Sequence, residues 1–503
     1  MSLQVWLEKS FHKIFPNETP KSRSEINIYA AKNEKEACQL ILLSDHDTTV
    51  ALDFAAMSNA SGYTLEDKTF EILFLEAGSH GTWIDPMRPI ENNTVSLKGG
   101  EAKAILWRFD IKKDAPAGEY KAKATAKAAD GETGECEVTL KVWNFTLPDV
   151  PSCQSAFGLS RDILEATYGL EKNSAESQSM YEKYYNELLD HKISAYDLPV
   201  DILSDEADKY MDDPRITSFV IPYVDSDEKQ NQYFAKLRKK REWFKKGYFY
   251  FVDEPSTKDV YKRFNDASAR LTELEPNFRQ VVPFYMNPQF DIRMSAVENM
   301  YGKVRVWCPE SCSWDDLNGC DKVGRGVDNT LGPKMLARQA AGETVWWYVC
   351  CGPRAPYCNV HITMEGIIHR ILFWQQKMKR VEGLLYWSTN YWGRDDWGAE
   401  AGTKDPWTDM ATVKGIDPDL YGDGSMFYPG PDGPCPSFRL ECVRDGIEDF
   451  EYLSMAVDKF GYDYVDGVIA KIATSLTEYN TNEDNFEDVR IALGQALEDA
   501  FSK

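Results

Sequence analysis

The pattern of apolar and polar positions changes character once along the chain. From about residue 24 to residue 147 it is short and mostly alternating, as in Ile26-Asn-Ile-Tyr29, Ala104-Ile-Leu-Trp-Arg-Phe-Asp-Ile111, Glu119-Tyr-Lys-Ala-Lys-Ala-Thr125 and Cys136-Glu-Val-Thr-Leu-Lys-Val-Trp143. Turn signals, Ala115-Pro-Ala-Gly118 and Asp130-Gly131, separate the runs. Successive side chains of a strand point to opposite faces, so strands with one face on a core and one in water read this way. The pattern predicts an antiparallel β-sandwich over residues 1–147. Pro148-Asp-Val-Pro151 reads as a linker. Beyond it, continuous apolar runs take turns with longer helical patterns. Eight such runs, at 155–159, 193–198, 218–223, 248–252, 281–286, 304–308, 344–350 and 383–388, predict a (β/α)8 barrel of the TIM type over residues 148–435. Residues 440–459, 468–476 and 485–501 carry apolar side chains at helical spacing. They predict a C-terminal helical extension, residues 436–503, packed on the outside of the barrel.

The fourth run, Gly247-Tyr-Phe-Tyr-Phe-Val-Asp-Glu-Pro255, has no polar alternation until it ends in two acids and a proline. An uninterrupted run reads as a strand covered on both faces. Proline lacks an N–H and biases the residue before it toward β or polyproline geometry, so Glu254 is expected to be extended at the C-terminal end of the fourth strand. Barrel enzymes hold their chemistry at that end. Two like charges side by side at a partly desolvated position push their titrations apart, so that one acid stays protonated while its neighbour ionises. Glycoside hydrolysis needs that division of labour. The structural alternative is a strand-end pair that binds loop N–H groups.

Other candidates end other strands. Tyr285, Trp307, Tyr348, Trp387, Asn390 and Trp392 lie at or just beyond the ends of the fifth to eighth runs. An aromatic ring there is a candidate sugar platform, whereas inside the barrel it would be packing. His191 precedes the second run and is expected to be structural. Charges in Arg439-Leu-Glu-Cys-Val-Arg-Asp-Gly-Ile-Glu-Asp-Phe-Glu-Tyr452 recur at spacings that link successive helical turns, which reads as a structural clamp on the barrel.

No metal and no cofactor are expected. Cys308, Cys312, Cys320 and Cys358 lack the C-x-x-C spacing that zinc sites favour. The long loop Gly422-Asp-Gly-Ser-Met-Phe-Tyr-Pro-Gly-Pro-Asp-Gly433 hints at calcium, but the upstream Asp417-Pro-Asp-Leu-Tyr421 places a tyrosine where an EF-hand needs a ligand. Phosphate-binding loop, nucleophile elbow and nucleotide fingerprint are all absent.

Composition narrows the partners. The 503 residues carry 81 acidic against 57 basic side chains, a formal charge of −24, which disfavours nucleic acid or an anionic membrane. The one basic cluster, Lys236-Leu-Arg-Lys-Lys-Arg241 with Lys245 and Lys246, has Phe234, Leu237 and Phe244 at helical spacing and reads as a solvated helix face. The 14 Trp and 26 Tyr exceed ordinary core needs and suit flat, amphipathic ligands such as sugars. Eleven cysteines, several inside apolar runs, suggest buried thiols in a reducing compartment. The N-terminus lacks the pattern of a secretory signal, and no stretch is long enough to span a bilayer. A cytoplasmic protein without a membrane partner is expected.

Several segments together resemble glycoside hydrolase family 123 and its relatives of unknown function. They are Phe251-Val-Asp-Glu-Pro255, Trp346-Trp-Tyr-Val-Cys-Cys-Gly-Pro-Arg-Ala-Pro-Tyr357, Gly383-Leu-Leu-Tyr-Trp387, Gly422-Asp-Gly424, Arg444-Asp-Gly-Ile-Glu-Asp-Phe-Glu-Tyr-Leu453 and Ala31-Lys-Asn-Glu-Lys-Glu-Ala-Cys-Gln39. The likeness covers most of the chain. It implies a β-sandwich before a (β/α)8 barrel and a β-N-acetylgalactosaminidase that trims a terminal 2-acetamido sugar from an oligosaccharide or glycan. It also implies that the family's adjacent Asp-Glu pair is Asp253 and Glu254. The implied mechanism is retaining and substrate-assisted, the sugar's own 2-acetamido oxygen attacking the anomeric carbon to form an oxazoline-type intermediate. Asp253 would orient and stabilise the acetamido N–H, and Glu254 would protonate the leaving oxygen and then deprotonate the incoming water. The resemblance assigns none of the candidate sugar-contacting residues individually. Two alternatives stay open. One is a glycosidase without acetamido participation, using Glu254 with a second carboxylate such as Asp395, Asp396 or Asp423. The other is a non-catalytic carbohydrate-binding protein.

Overall fold

The computed structural model describes residues 3–76, 81–286, 293, 295–314, 331–392, 405–408 and 421–502. The N-terminal part is two stacked sheets. One has the order Leu3–Lys9, Glu34–Ser44, Lys103–Ile111, Glu66–Glu76, Thr82–Pro89, every neighbour antiparallel. The other has the order Glu25–Lys32, Thr133–Thr146, Gly118–Ala128, Thr48–Phe54, Thr94–Leu97. Its first pair runs parallel, which departs from the all-antiparallel expectation. The cause lies at Asn33, where φ is +62°. There the chain crosses to the opposite sheet instead of folding back, so Glu25–Lys32 joins a strand whose direction the hairpin with Gly118–Ala128 has already set.

Alternation divides the side chains between two cores. Ile105, Trp107 and Phe109 face Leu7, Val50, Tyr120 and Val138 between the sheets. Ala104 and Leu106, one position out of phase, join Trp6, Ile41, Phe70 and Met87 in a larger core shared with the rest of the chain. The first sheet is therefore covered on both faces.

After residue 153 the fold is α/β. Gln154–Phe157, Gly383–Tyr386, Thr344–Val349, Val306–Pro309 and Val281–Phe284 are parallel neighbours in that order. Phe219–Val220 pairs in parallel with Gly247–Tyr248. Single parallel bridges link Phe157 to Ala195 and Phe249 to Gln280, and Val220 N donates to Tyr196 O at 2.7 Å. The expected second strand is reduced to its bridge at Ala195. Helices Ala175–Asp190, Asp227–Leu237, Lys258–Leu274, Leu331–Ala340 and Gly366–Met378 lie between the strands in sequence. Ala156, Tyr248, Val281, Val306, Cys308, Trp346, Tyr348 and Leu385 form an inner cluster of their own. Their sequence neighbours Phe157, Val282, Trp307, Trp347 and Tyr386 point the other way, into the large core with the helices.

The C-terminal helices reach further than the outside of this sheet. Phe438–Phe460 is buried over most of its length and packs against both Gly366–Met378 and Thr82–Pro89. Gly446 admits the Phe373 ring, since a Cβ there would stand 2.3 Å from Phe373 Cδ2. Glu483–Phe501 lies on Thr133–Thr146. The charges on Phe438–Phe460 bind across these contacts. Arg439 pairs with Asp85, Glu441 with Arg108 and His191, and Asp449 with Arg370 and Arg490. The clamp anticipated from the sequence thus holds the two sheet systems together, and His191 is part of it.

Candidate active site

The fourth strand ends beside a neighbour that contains a proline. Phe249 N donates to Arg279 O, and Val281 N donates to Phe249 O, both at 2.9 Å. The next bonds of the ladder would run from Phe251 N to Val281 O, which is not made, and from Pro283, which has no N–H to give. The chain leaves the ladder there, and Glu254 N returns to Pro283 O at 3.1 Å. Asp253 and Glu254 consequently stand on an irregular segment beyond the strand.

Glu254 is not extended, as the following proline predicted. Its φ is +39°, in the left-handed region that non-glycine residues enter at a cost of about 1–3 kcal/mol. The bond to Pro283 O and an anchor on the side chain hold it there. That anchor is the Tyr348 hydroxyl, which donates to Glu254 Oε1 at 2.5 Å.

Asp253 has a different setting. The Tyr250 hydroxyl donates to its Oδ1 at 3.0 Å, and Tyr196 braces Tyr250 edge-on, ring centroids 5.6 Å apart. The Asp253 carboxyl reaches solvent, yet enough protein surrounds it to raise its pKa above the usual carboxylate value. Burial is the main cause and the Glu254 charge the second, with the Tyr250 hydrogen bond pulling down. Two adjacent acids are thus held by two different tyrosines.

A third carboxyl, Asp423, lies on the loop after the last parallel strand. It is buried, and Oδ1 accepts from Tyr386 Oη at 3.1 Å and from Trp387 Nε1 at 3.0 Å. Burial pushes its pKa up to about 7. The Tyr386 hydroxyl in turn accepts from Gly424 N at 2.7 Å. Gly424 has φ +74°, and a Cβ on it would fall 2.2 Å from Trp387 Cζ2, so only glycine fits. Tyr391 flanks the same indole, ring centroids 4.7 Å apart. Trp387 is held in one orientation and, with Tyr196, Asp197 and Arg161, lines a cavity of about 510 Å³.

The remaining sequence candidates separate by strand parity. Trp307 lies between inward-facing Val306 and Cys308 and therefore points outward, where its Nε1 donates to Glu343 Oε2 at 2.7 Å. Trp392 is buried beside Tyr184 and donates to Phe427 O. Asn390 is buried, with both ends of its amide on the Ser160 backbone at 2.8 and 2.9 Å. These three brace the fold, whereas Tyr348 and Trp387 are brought to the acids and the cavity. Tyr285 is half-buried under the Arg293 guanidinium, 3.9 Å from the ring centroid. Tyr250 and Tyr196 were not among the candidates. Their signal was the same alternation, since Tyr250 shares the parity of inward-facing Tyr248. Asp395, Asp396 and Cys320 lie outside the described residues. Among the described residues, no group of three or more His, Cys, Asp or Glu side chains could hold a metal, and no helix is long and apolar enough to cross a membrane.

Comparison with known proteins bears on the family and the fold. The family description "Glycoside hydrolase 123, catalytic domain" matches residues 190–456, more than half of the chain. The chain is similar to the solved structure of a family 123 glycoside hydrolase from Clostridium perfringens, described in terms of glycolipid glycan hydrolysis. That match has 11% identity, a TM-score of 0.68, and covers 100% of this chain and 98% of the other. A family 39 glycoside hydrolase from Bacteroides cellulosilyticus WH2 aligns at 8% identity over 84% of this chain and 81% of that one. Its TM-score of 0.34 is too low to bear on the fold. No curated protein sequence matches. The Clostridium likeness shows the fold, and the matched region contains Asp253, Glu254, Tyr348, Trp387 and Asp423: the chain belongs to glycoside hydrolase family 123.

Proposed function

We propose that this hydrolase removes a terminal β-linked 2-acetamido sugar, N-acetylgalactosamine, from a glycan by a retaining, substrate-assisted mechanism. Family membership supports a glycoside hydrolase acting on a glycan. The observation that carries the finer reading is the adjacent pair itself, with Asp253 held by Tyr250 and Glu254 by Tyr348. Two acids on one short segment do not need to flank the scissile bond from opposite faces, provided that the substrate supplies the nucleophile.

The acetamido carbonyl oxygen attacks the anomeric carbon from the face opposite the leaving group. The glycosidic C–O bond breaks, and Glu254 gives its proton to the departing oxygen. Asp253, as a carboxylate, accepts the acetamido N–H and offsets the positive charge of the developing oxazolinium ring. Water then attacks the same carbon from the vacated face, loses a proton to Glu254 and reopens the ring, so two inversions give net retention. Trp387 offers its indole as a platform beside the cavity. The succession of parallel contacts among Gln154–Phe157, the strands that follow and Gly383–Tyr386 supports reading residues 148–435 as a (β/α)8 barrel, after a sandwich of residues 1–147 and before a helical extension of residues 436–503.

The test is nitrophenol release from aryl β-glycosides of N-acetylgalactosamine, N-acetylglucosamine and galactose, with wild type, Asp253→Asn and Glu254→Gln side by side. Activity confined to acetamido sugars, blocked by a thiazoline mimic of the cyclic intermediate and lost in both variants, is the expected result. Hydrolysis of the plain galactoside, or intact activity in the variants, overturns the mechanism. Asp423 favours a second reading only in that first case, as a buried acid with a pKa near 7.

A further inference from the structure

Among the described residues eight cysteines are buried, and only Cys350 and Cys351 are half-exposed. These two are neighbours in sequence, and their Sγ atoms lie 3.8 Å apart. They follow directly on the strand Thr344–Val349, which carries Tyr348 and its bond to Glu254. The backbone around them is fixed from several sides. Cys350 N donates to Gly352 O at 2.7 Å, and Cys350 O accepts from Asn359 Nδ2 at 2.9 Å and His361 Nε2 at 2.8 Å. Burial pushes the His361 pKa down to about 4, so this imidazole stays neutral and keeps Nε2–H as the donor. On its other side Cys351 lies within electrostatic reach of Asp423.

We propose that Cys350 and Cys351 form a reactive dithiol just beyond the end of the strand that carries Tyr348. It closes to a disulfide between neighbouring residues on meeting a small neutral disulfide, and closure disturbs the Tyr348–Glu254 bond. One cysteine, as thiolate, attacks a sulfur of the reagent, whose S–S bond breaks and releases one equivalent of thiol. The second cysteine attacks the protein sulfur of the mixed disulfide and expels the other half. Two protein thiols are oxidised, and the reagent is reduced to two thiols. The sulfurs need to approach to about 2.05 Å. Adjacent Cα atoms stand only about 3.8 Å apart across a trans peptide, below the roughly 4.4–6.8 Å of ordinary disulfides. The closed bond is therefore strained and easily reduced, the property of a labile bridge rather than a structural one. The strain falls on the peptide two residues after Tyr348. Asp423 beside the pair disfavours an anionic reagent, which is why a neutral one is specified.

The experiment uses the full chain, reduced, freed of reductant and treated with bis(2-hydroxyethyl) disulfide at about pH 8.5, where a cysteine of ordinary pKa is half ionised. Remaining thiols are then alkylated. The expected peptide spanning residues 350 and 351 has lost two hydrogens, takes no alkyl group and regains both thiols with dithiothreitol. In Cys351→Ser, Cys350 instead carries a mercaptoethanol adduct. Full alkylation of both cysteines after treatment, or bridges to other cysteines, overturns the dithiol. The coupling to the site rests on the proposed function and has its own readout. Closure should lower nitrophenol release reversibly by roughly tenfold or more, the scale of losing one charge-assisted hydrogen bond. The Cys350→Ser, Cys351→Ser double variant should be active and insensitive to the reagent. Closure without loss of activity overturns the coupling alone. A wild type inactive on all three glycosides counts against the proposed function, while the peptide mass still decides the dithiol.

Discussion

Tyr348 Oη and Glu254 Oε1 meet at 2.5 Å, joining the end of one parallel strand to an acid that the chain has placed in the left-handed region. The hydroxyl fixes the carboxyl that would deliver and recover the proton, and a proton donor misplaced by an ångström loses much of its effect. Tyr348→Phe removes little volume and one hydrogen bond, which is charge-assisted when Glu254 serves as the base. The expected outcome is a fall in kcat of about 10- to 100-fold, the equivalent of ~1.5–3 kcal/mol, with KM nearly unchanged and the melting temperature within a few degrees of wild type. An unchanged kcat would detach Tyr348 from the chemistry.

That relationship also shows where sequence reading reached its limit. The Asp253-Glu254 pair was legible because an apolar run ended in two acids, a local signal that survives without knowledge of the fold. The geometry of Glu254 was not legible, because it depends on Pro283, a residue on the neighbouring strand whose carbonyl accepts from Glu254 N. Trp307 was legible in principle, since its neighbours Val306 and Cys308 share the inward parity and leave it the outward one. The parallel pairing of Glu25–Lys32 was set by a crossover at Asn33. Asn390 looked like a sugar contact because it lies just beyond the end of the eighth run, but the Ser160 backbone takes both ends of its amide.

The pH dependence should report Asp253. Its pKa stands above the usual value, mainly through burial, and the hydrogen bond from Tyr250 opposes that rise. Tyr250→Phe removes the opposing contribution, so the pKa climbs further. Asp253 would act as a carboxylate, and a higher pKa leaves more of it protonated at any pH on the acid side. The acid limb of kcat/KM against pH should therefore move to higher pH in Tyr250→Phe, with the alkaline limb in place. A limb that stays where it was would show that Asp253 need not be ionised.

Asp423 should be visible in stability as well. Its pKa is about 7 in the folded protein, raised chiefly by burial, against about 3.9 in an unfolded chain. Between those values the folded state holds a proton that the unfolded state has lost, so this group makes stability fall as pH rises from about 4 to 7. Asp423→Asn keeps an oxygen to accept from Tyr386 and Trp387 and abolishes the titration. The difference in unfolding free energy between variant and wild type, measured by urea at several pH values, should therefore shift in favour of the variant over that window and level off above it. A pH-independent difference would mean that Asp423 ionises normally.

Arg439 links the sandwich to the loop that carries Asp423. Its guanidinium has five N–H donors, and all are engaged: two on Asp85 at 2.8 and 2.9 Å, and one each on Val360 O, Gly422 O and Ser425 O at 2.8, 2.9 and 2.6 Å. Both ends of the ion pair are fully buried, so removing the cation strands a carboxylate away from water. Arg439→Met should cost about 3–5 kcal/mol of unfolding free energy, read from urea denaturation. Combining it with Asp85→Leu should recover part of the loss, because the stranded charge is gone. The second consequence lies at the active site. Without the bonds to Gly422 O and Ser425 O, the turn bearing Asp423 loosens, and Trp387 loses the fixed acceptor for its indole N–H. In the double variant, whose stability is partly restored, KM for the aryl glycoside should still rise while kcat changes less. A double variant with wild-type KM would show that Trp387 holds its orientation without the clamp.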